Sequence, residues 1–215
     1  MCFSVAASFT AGTFLIGFGV MTLSLARRRK EVPFAAIPLL FGLQQLSEGV
    51  VWISFGAGWE PINFWATQFF SFFSHVLWPV WVPVATLAIE PSIPRRRLLF
   101  PTLLAGVFVS LFLLYSMFLY PIRALAADGH IEYVSPHFYL IASVMGYVTA
   151  TTVSLLFSSR RAVQSFGLLV ALSLMLAYWI YAKWFISVWC FFAAIMSIMV
   201  FFGFLGRPKR EMKSL

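Results

Sequence analysis

The chain has 215 residues, 61% of them hydrophobic and only 10% charged, with a net charge of +8. A soluble domain carries about 25% charged residues, so this composition excludes a water-facing globular surface. The positive charge sits in clusters at 27–30, 95–97, 160–161 and 207–213, each beside an apolar segment. That placement fits cytoplasmic helix flanks and anionic headgroups, and no nucleic-acid partner is expected.

Seven apolar segments follow one another, each expected to be long enough to cross a hydrocarbon core of about 30 Å. Lipid offers no partner for free backbone groups, so helices are the expected spanning element. The expected fold is all-α: one seven-helix membrane domain over residues 1–215. The first helix is expected over 3–26, ahead of the basic cluster Arg27 to Lys30. This order anchors the helix with its N-terminus outside and predicts no signal-peptide cleavage. The second is expected over 33–55, opening on Pro33, where a missing N–H is harmless. The third is expected over 62–89 and descends to Arg95, Arg96 and Arg97.

A fourth helix, 98–120, is almost uniformly Leu, Phe and Val. The longest loop, Pro121 to Pro136, is then expected outside. The fifth helix is expected over 137–157, with Ser143, Tyr147, Thr151 and Ser154 on one face for helix packing. The sixth and seventh, 166–182 and 184–205, return the chain to a cytoplasmic basic tail. Thirteen of the fifteen Lys and Arg residues then lie on the cytoplasmic side, leaving Arg123 and Lys183 outside. The charges themselves carry the orientation.

Glu48 is the only charged residue well inside a helix. An intramembrane carboxylate costs about 2.5 to 3.5 kcal/mol on insertion scales and normally faces the bundle interior with a partner. Gln44, Gln45 and Trp52 lie at i−4, i−3 and i+4 from it, on one flank. His75 is the only interior histidine. Helices two and three, joined by a short turn, should pack as antiparallel neighbours. At 1.5 Å per residue the two side chains come to similar depths. A Glu48–His75 hydrogen bond or ion pair, direct or through one water, is therefore expected, with Gln68, Ser71 and Ser74 extending the polar stretch. Pro79 cannot donate to the His75 carbonyl, so that oxygen is expected to lose its helical partner beside a kink, and Pro83 repeats the effect at Pro79. A satisfied polar cluster that only locks packing is the competing reading.

A weaker outer-face group is Cys2, His130, Glu132 and His137. Its residue types suit a metal, but the spacing of a zinc motif is absent. Two cysteines, Cys2 and Cys190, give no disulfide framework. No cofactor is predicted. A metal at the outer face, or a lipophilic pigment walled by the abundant aromatics, is the weaker alternative to an aromatic belt.

The opening Met-Cys-Phe-Ser-x-x-Ala-Ser-Phe, the stretch PFAAIPLLFGLQQLSEGVVW and the stretch FSHVLWPVWVP resemble a family of bacterial membrane proteins catalogued as a domain of unknown function. The resemblance implies a multi-pass protein of the bacterial inner membrane and supplies no activity. The expected function is binding or passing a small solute or proton at a polar site between helices two and three. The alternatives are a membrane-embedded enzyme, hydrolase or metal-dependent, using His75 and Glu48 or the outer Cys2, His130 and His137, and a non-catalytic subunit of a larger membrane complex. Catalysis is not the leading reading, because no nucleophile or metal set is placed. The expected partners are the bilayer, the solute or proton, and further copies or subunits in the membrane.

Overall fold

The computed structural model describes residues 4–206. Cys2 and the basic tail beyond residue 206 lie outside the described residues. Helix α1, Val5–Leu25, starts where the Ser4 hydroxyl oxygen accepts the Ala7 N–H at 3.2 Å, the expected satisfaction of an orphan first-turn donor. Helix α2, Arg29–Ala57, has a 3-10 turn at Arg29–Glu31, a short turn Val32–Ala35 and a long body, Ile37–Ala57. Gly58 ends it at φ 65°, a left-handed conformation that glycine adopts without a Cβ penalty.

Helices α1 and α2 approach through glycine. A Cβ on Gly19 would lie 2.5 Å from the Leu39 Cα, so the two backbones pack at a distance only small residues permit. Of its most apolar window, 28% of α1 is buried against 72% of α2. Thus α2 is the inner helix and α1 an outer strut.

Helix α3, Glu60–Ile89, is α-helical over Glu60–Ser71, a π-helix over Phe72–Leu77, and α-helical again over Trp78–Ile89. Helix α4, Ile93–Leu119, leads into two strands, β1 at Arg123–Ala127 and β2 at His130–Val134. They pair antiparallel, with Arg123 opposite Val134 and Ala127 opposite His130. Helix α5, Ile141–Leu156, contains a second π segment at Thr149–Val153. Helix α6, Arg161–Tyr181, ends at a 3-10 turn, Ala182–Trp184. Helix α7 runs over Phe185–Met196 and resumes over Ile198–Leu205, packed against α6.

By length and composition five helical stretches can cross a membrane: Val5–Leu25, Arg29–Ala57, Glu60–Ile89, Ile93–Leu119 and Arg161–Leu205, the last containing both α6 and α7. The chain is a mostly helical, membrane-embedded protein.

The hairpin corrects the loop expected between Pro121 and Pro136. Asp128 and Gly129 form its turn at φ 54° and 74°, the pair of positive values a two-residue type I′ turn needs. The strands do not stand off in solvent. Ile122, Ala124, Ile131, Tyr133 and Ser135 are all buried, and the hairpin packs on α2, α3 and α7. Helix boundaries also shift: α4 begins at Ile93, and α5 only at Ile141 because 135–140 carry the hairpin back to the bundle.

Candidate functional site

Glu48, Gln44 and Gln45 come from the inward face of α2, and His75, Ser71 and Ser74 from α3; all six are buried. Helix α7 contributes Ser187 and Cys190, β2 contributes Tyr133, and Ser135 follows directly after the strand, two residues on. The polar site is therefore built by four elements, not by a pair of helices.

His75 is fully bonded. Its Nδ1 lies 2.8 Å from the Ser74 hydroxyl and its Nε2 lies 2.9 Å from the Ser135 hydroxyl. Ser74 donates its own proton to the Ser71 carbonyl at 3.3 Å. In a neutral ring this network selects Nδ1–H as donor to Ser74 and Nε2 as acceptor from Ser135. The Phe138 ring packs beside the imidazole, 5.0 Å between centroids.

Glu48 is bonded on one side only. Its Oε1 accepts the Ser187 hydroxyl at 2.6 Å, while Oε2 has no hydrogen-bond partner. Tyr133 and Gln45 lie close enough to bear on the Glu48 charge. Even so, the Tyr133 hydroxyl and both polar atoms of the Gln45 amide make no hydrogen bond of standard geometry. Burial first, and then the nearby Glu48 charge, push the Tyr133 phenol well above its ordinary range. It therefore stays a protonated hydroxyl.

The expected direct Glu48–His75 hydrogen bond does not form. Both imidazole nitrogens are taken by serines, and the carboxylate turns to α7. The end of the hairpin neighbours both groups instead: Tyr133 in β2 lies near the Glu48 charge, and Ser135 just after the strand bonds His75. His75 lies within the π segment Phe72–Leu77, which a comparison of depths at about 1.5 Å per residue does not take into account. An i→i+5 turn carries one residue more than an α-turn and rotates the rest of the helix.

The same register extends the effect of Pro79 to a second carbonyl. Within the π segment the Trp78 N–H reaches back five residues to the Phe73 carbonyl, so the next oxygen, that of Ser74, also meets the proline and has no helical donor. It accepts the Tyr147 hydroxyl from α5 instead. Nearby, the Val76 carbonyl accepts Ser110 Oγ from α4 at 2.8 Å. Gly106 lets α4 come this close, since a Cβ there would collide with the Pro79 carbonyl oxygen.

Gln44 Oε1 accepts the Trp78 indole N–H at 2.7 Å, and Trp78 stacks on Phe41 with centroids 3.9 Å apart. Beyond it Cys190, Tyr147 and Trp189 border a cavity of about 30 Å³, space for about one water molecule. Gln68 and Trp52 are not brought into the site. Gln68 donates to the Ile122 carbonyl at 2.7 Å, anchoring the hairpin, and Trp52 is a partly buried packing residue. Sequence reasoning missed Ser187, Tyr133, Ser135 and Tyr147 as partners. Only the alternation of Ile131, Tyr133 and Ser135 after an Asp-Gly turn signalled an inward strand face.

The outer-face metal candidates separate. His130 stacks on Trp184 at 4.6 Å, and Glu132 pairs with Lys183 at 3.6 Å. His137 stacks on Tyr120 at 5.0 Å. Among the described residues no group of three His, Cys, Asp or Glu is placed to hold a metal ion.

No curated protein and no solved structure matches the chain. Residues 1–214 match the model of the family described as "Family of unknown function (DUF6629)", and the chain belongs to that family.

Proposed function

We propose that this protein is a seven-span protein of the bacterial inner membrane, N-terminus outside and C-terminus cytoplasmic, that binds or passes a proton or a small polar solute at the Glu48 site. The observation that carries this reading is the unsatisfied Glu48 carboxylate. It lies at 1% exposure in the inner helix, its Oε2 unbonded, beside the equally unbonded Gln45 amide and Tyr133 hydroxyl. A buried acceptor without a partner costs about 1 to 3 kcal/mol, and more when charged. A sequence that keeps such a group in lipid has a use for its free valence. A 16-residue α5 and the hairpin-like α6–α7 pair bring the five long stretches to seven crossings.

Infrared titration of the protein in lipid nanodiscs tests the site. A protonated-carboxyl band that changes with pH should disappear in Glu48→Gln and persist in Glu90→Gln. The reading fails if no pH-dependent band belongs to Glu48. Orientation is tested separately with an impermeant thiol reagent on intact cells. A cysteine at Asp128 should label, and cysteines at Arg29, Arg96 and Arg160 should stay protected.

A further inference from the structure

A second cavity, of about 570 Å³, lies at the outer end of the bundle between the end of α2, the first turns of α3 and strand β1. Unlike the buried site it holds charge of both signs. Glu60, in the first turn of α3, and Arg123, the first residue of β1, both line it, and both are exposed. Among the described residues the ion pair within 4.0 Å is Lys183–Glu132, so Glu60 and Arg123 face one space without neutralising each other. A first-turn glutamate complements the helix dipole, which accounts for its position but leaves its charge available. Nothing comparable accounts for Arg123.

The floor of this cavity carries an independent sign of a ligand. Thr67 lines it, is 0% exposed, and its hydroxyl has no hydrogen-bond partner. One helical turn further in, the Ser71 hydroxyl is likewise buried and unbonded. The Ser71 carbonyl then joins Ser74, which holds His75. Phe64 and Leu125 supply apolar wall.

We propose that this outer cavity binds a small zwitterion, with its carboxylate on Arg123, its ammonium on Glu60 and its apolar body against Phe64 and Leu125. A pure anion would meet Glu60 and a pure cation Arg123, so only a molecule carrying both charges satisfies both side chains. The planar guanidinium fork matches a carboxylate with two parallel hydrogen bonds. This inference deepens the membrane reading and rests on it for the inward direction, with Thr67 and Ser71 as the polar steps toward His75.

Calorimetry on the full chain in nanodiscs tests it with glycine, L-leucine and L-phenylalanine as probes. L-leucinamide and N-acetyl-L-leucine, each lacking one charge, serve as controls. At least one zwitterion should bind saturably. If that probe is L-leucine, each one-charge analogue should bind at least tenfold more weakly. Arg123→Gln and Glu60→Gln should each weaken zwitterion binding at least tenfold. Both side chains are exposed, so circular dichroism should show an unchanged fold. Arg123→Gln should also erase any preference for leucine over leucinamide, a readout that a packing role would not move. The proposal is overturned if none of the three zwitterions binds, if binding survives both substitutions, or if the one-charge analogues bind as well as leucine. The infrared signal of Glu48 is a separate readout. Its loss with intact zwitterion binding would fail only the buried proton site, and the reverse would fail only this cavity.

Discussion

Glu48 and Glu90 are both buried carboxylates, at 1% and 3% exposure, and they are treated in opposite ways. Glu90, just past the end of α3, accepts four hydrogen bonds: Ser92 N–H at 3.0 Å, Ser158 Oγ at 2.9 Å, Ser159 N–H at 2.7 Å and Ser159 Oγ at 2.5 Å. Arg160 Nε and Arg95 Nη1 bond nearby backbone carbonyls and close the same knot between the α3 end and the α5–α6 turn. Glu48 accepts one hydrogen bond and leaves an oxygen free. A saturated carboxylate is a clasp whose role is complete in the folded chain. An unsaturated one keeps a valence for something that arrives. Burial alone therefore does not separate structure from function; the count of satisfied lone pairs does.

Removing the clasp should have the largest effect on stability. Glu90→Ala strands two serine hydroxyls and two backbone donors, and hydrogen bonds to a charged group are worth about 1.5 to 3 kcal/mol each but are not additive. We expect a loss of about 3 kcal/mol in denaturant unfolding, with the Glu48 infrared band unmoved. The same clasp has a pH signature. Burial alone would raise the Glu90 pKa, but the hydrogen bonds from Ser159, Ser92 and Ser158 outweigh it, and the folded value lies below the ordinary 4.5. Its stabilisation is therefore complete above pH 4.5 and is lost as pH falls through the lower folded value. Glu90→Gln should flatten that acid limb; an acid limb identical to wild type would refute the clasp.

A pair of tyrosines repeats the contrast at smaller scale. Tyr147 donates to the Ser74 carbonyl that Pro79 leaves without a helical donor, whereas the Tyr133 hydroxyl is unbonded. Tyr147→Phe should cost about 1 to 2 kcal/mol, because it strands a buried acceptor. Tyr133→Phe should change stability least, by less than about 0.5 kcal/mol, and yet shift the pH at which Glu48 titrates. Equal losses from the two substitutions would erase the distinction between a bonded and a waiting hydroxyl.

Much of the fold was legible because lipid leaves few options: long apolar runs, basic flanks and prolines mark where helices begin and end. Glu48 and His75 stood out for the same reason, as titratable side chains inside apolar runs. Their partners did not. Ser187 lies 139 residues beyond Glu48, and no local period connects them. The hairpin was hidden because the longest connecting stretch, with charges at Arg123, Asp128 and Glu132, reads as a loop, although Asp-Gly between alternating residues is the strongest short-range hairpin signal. The π segments carried no sequence mark at all.

Helix α5 is short for a membrane span. At 1.5 Å per residue its 16 residues rise about 24 Å, short of the roughly 30 Å hydrocarbon thickness, whereas the 27 residues of the adjoining α4 rise about 40 Å. Under the proposed seven-span reading, two neighbours so unequal set a step in the lipid boundary, with tilt on the α4 side and thinning on the α5 side. Bilayer thickness thus acts on the protein as a lateral load. It presses on the helix whose Tyr147 bonds the π segment of α3, so acyl-chain length becomes a variable of the site's geometry.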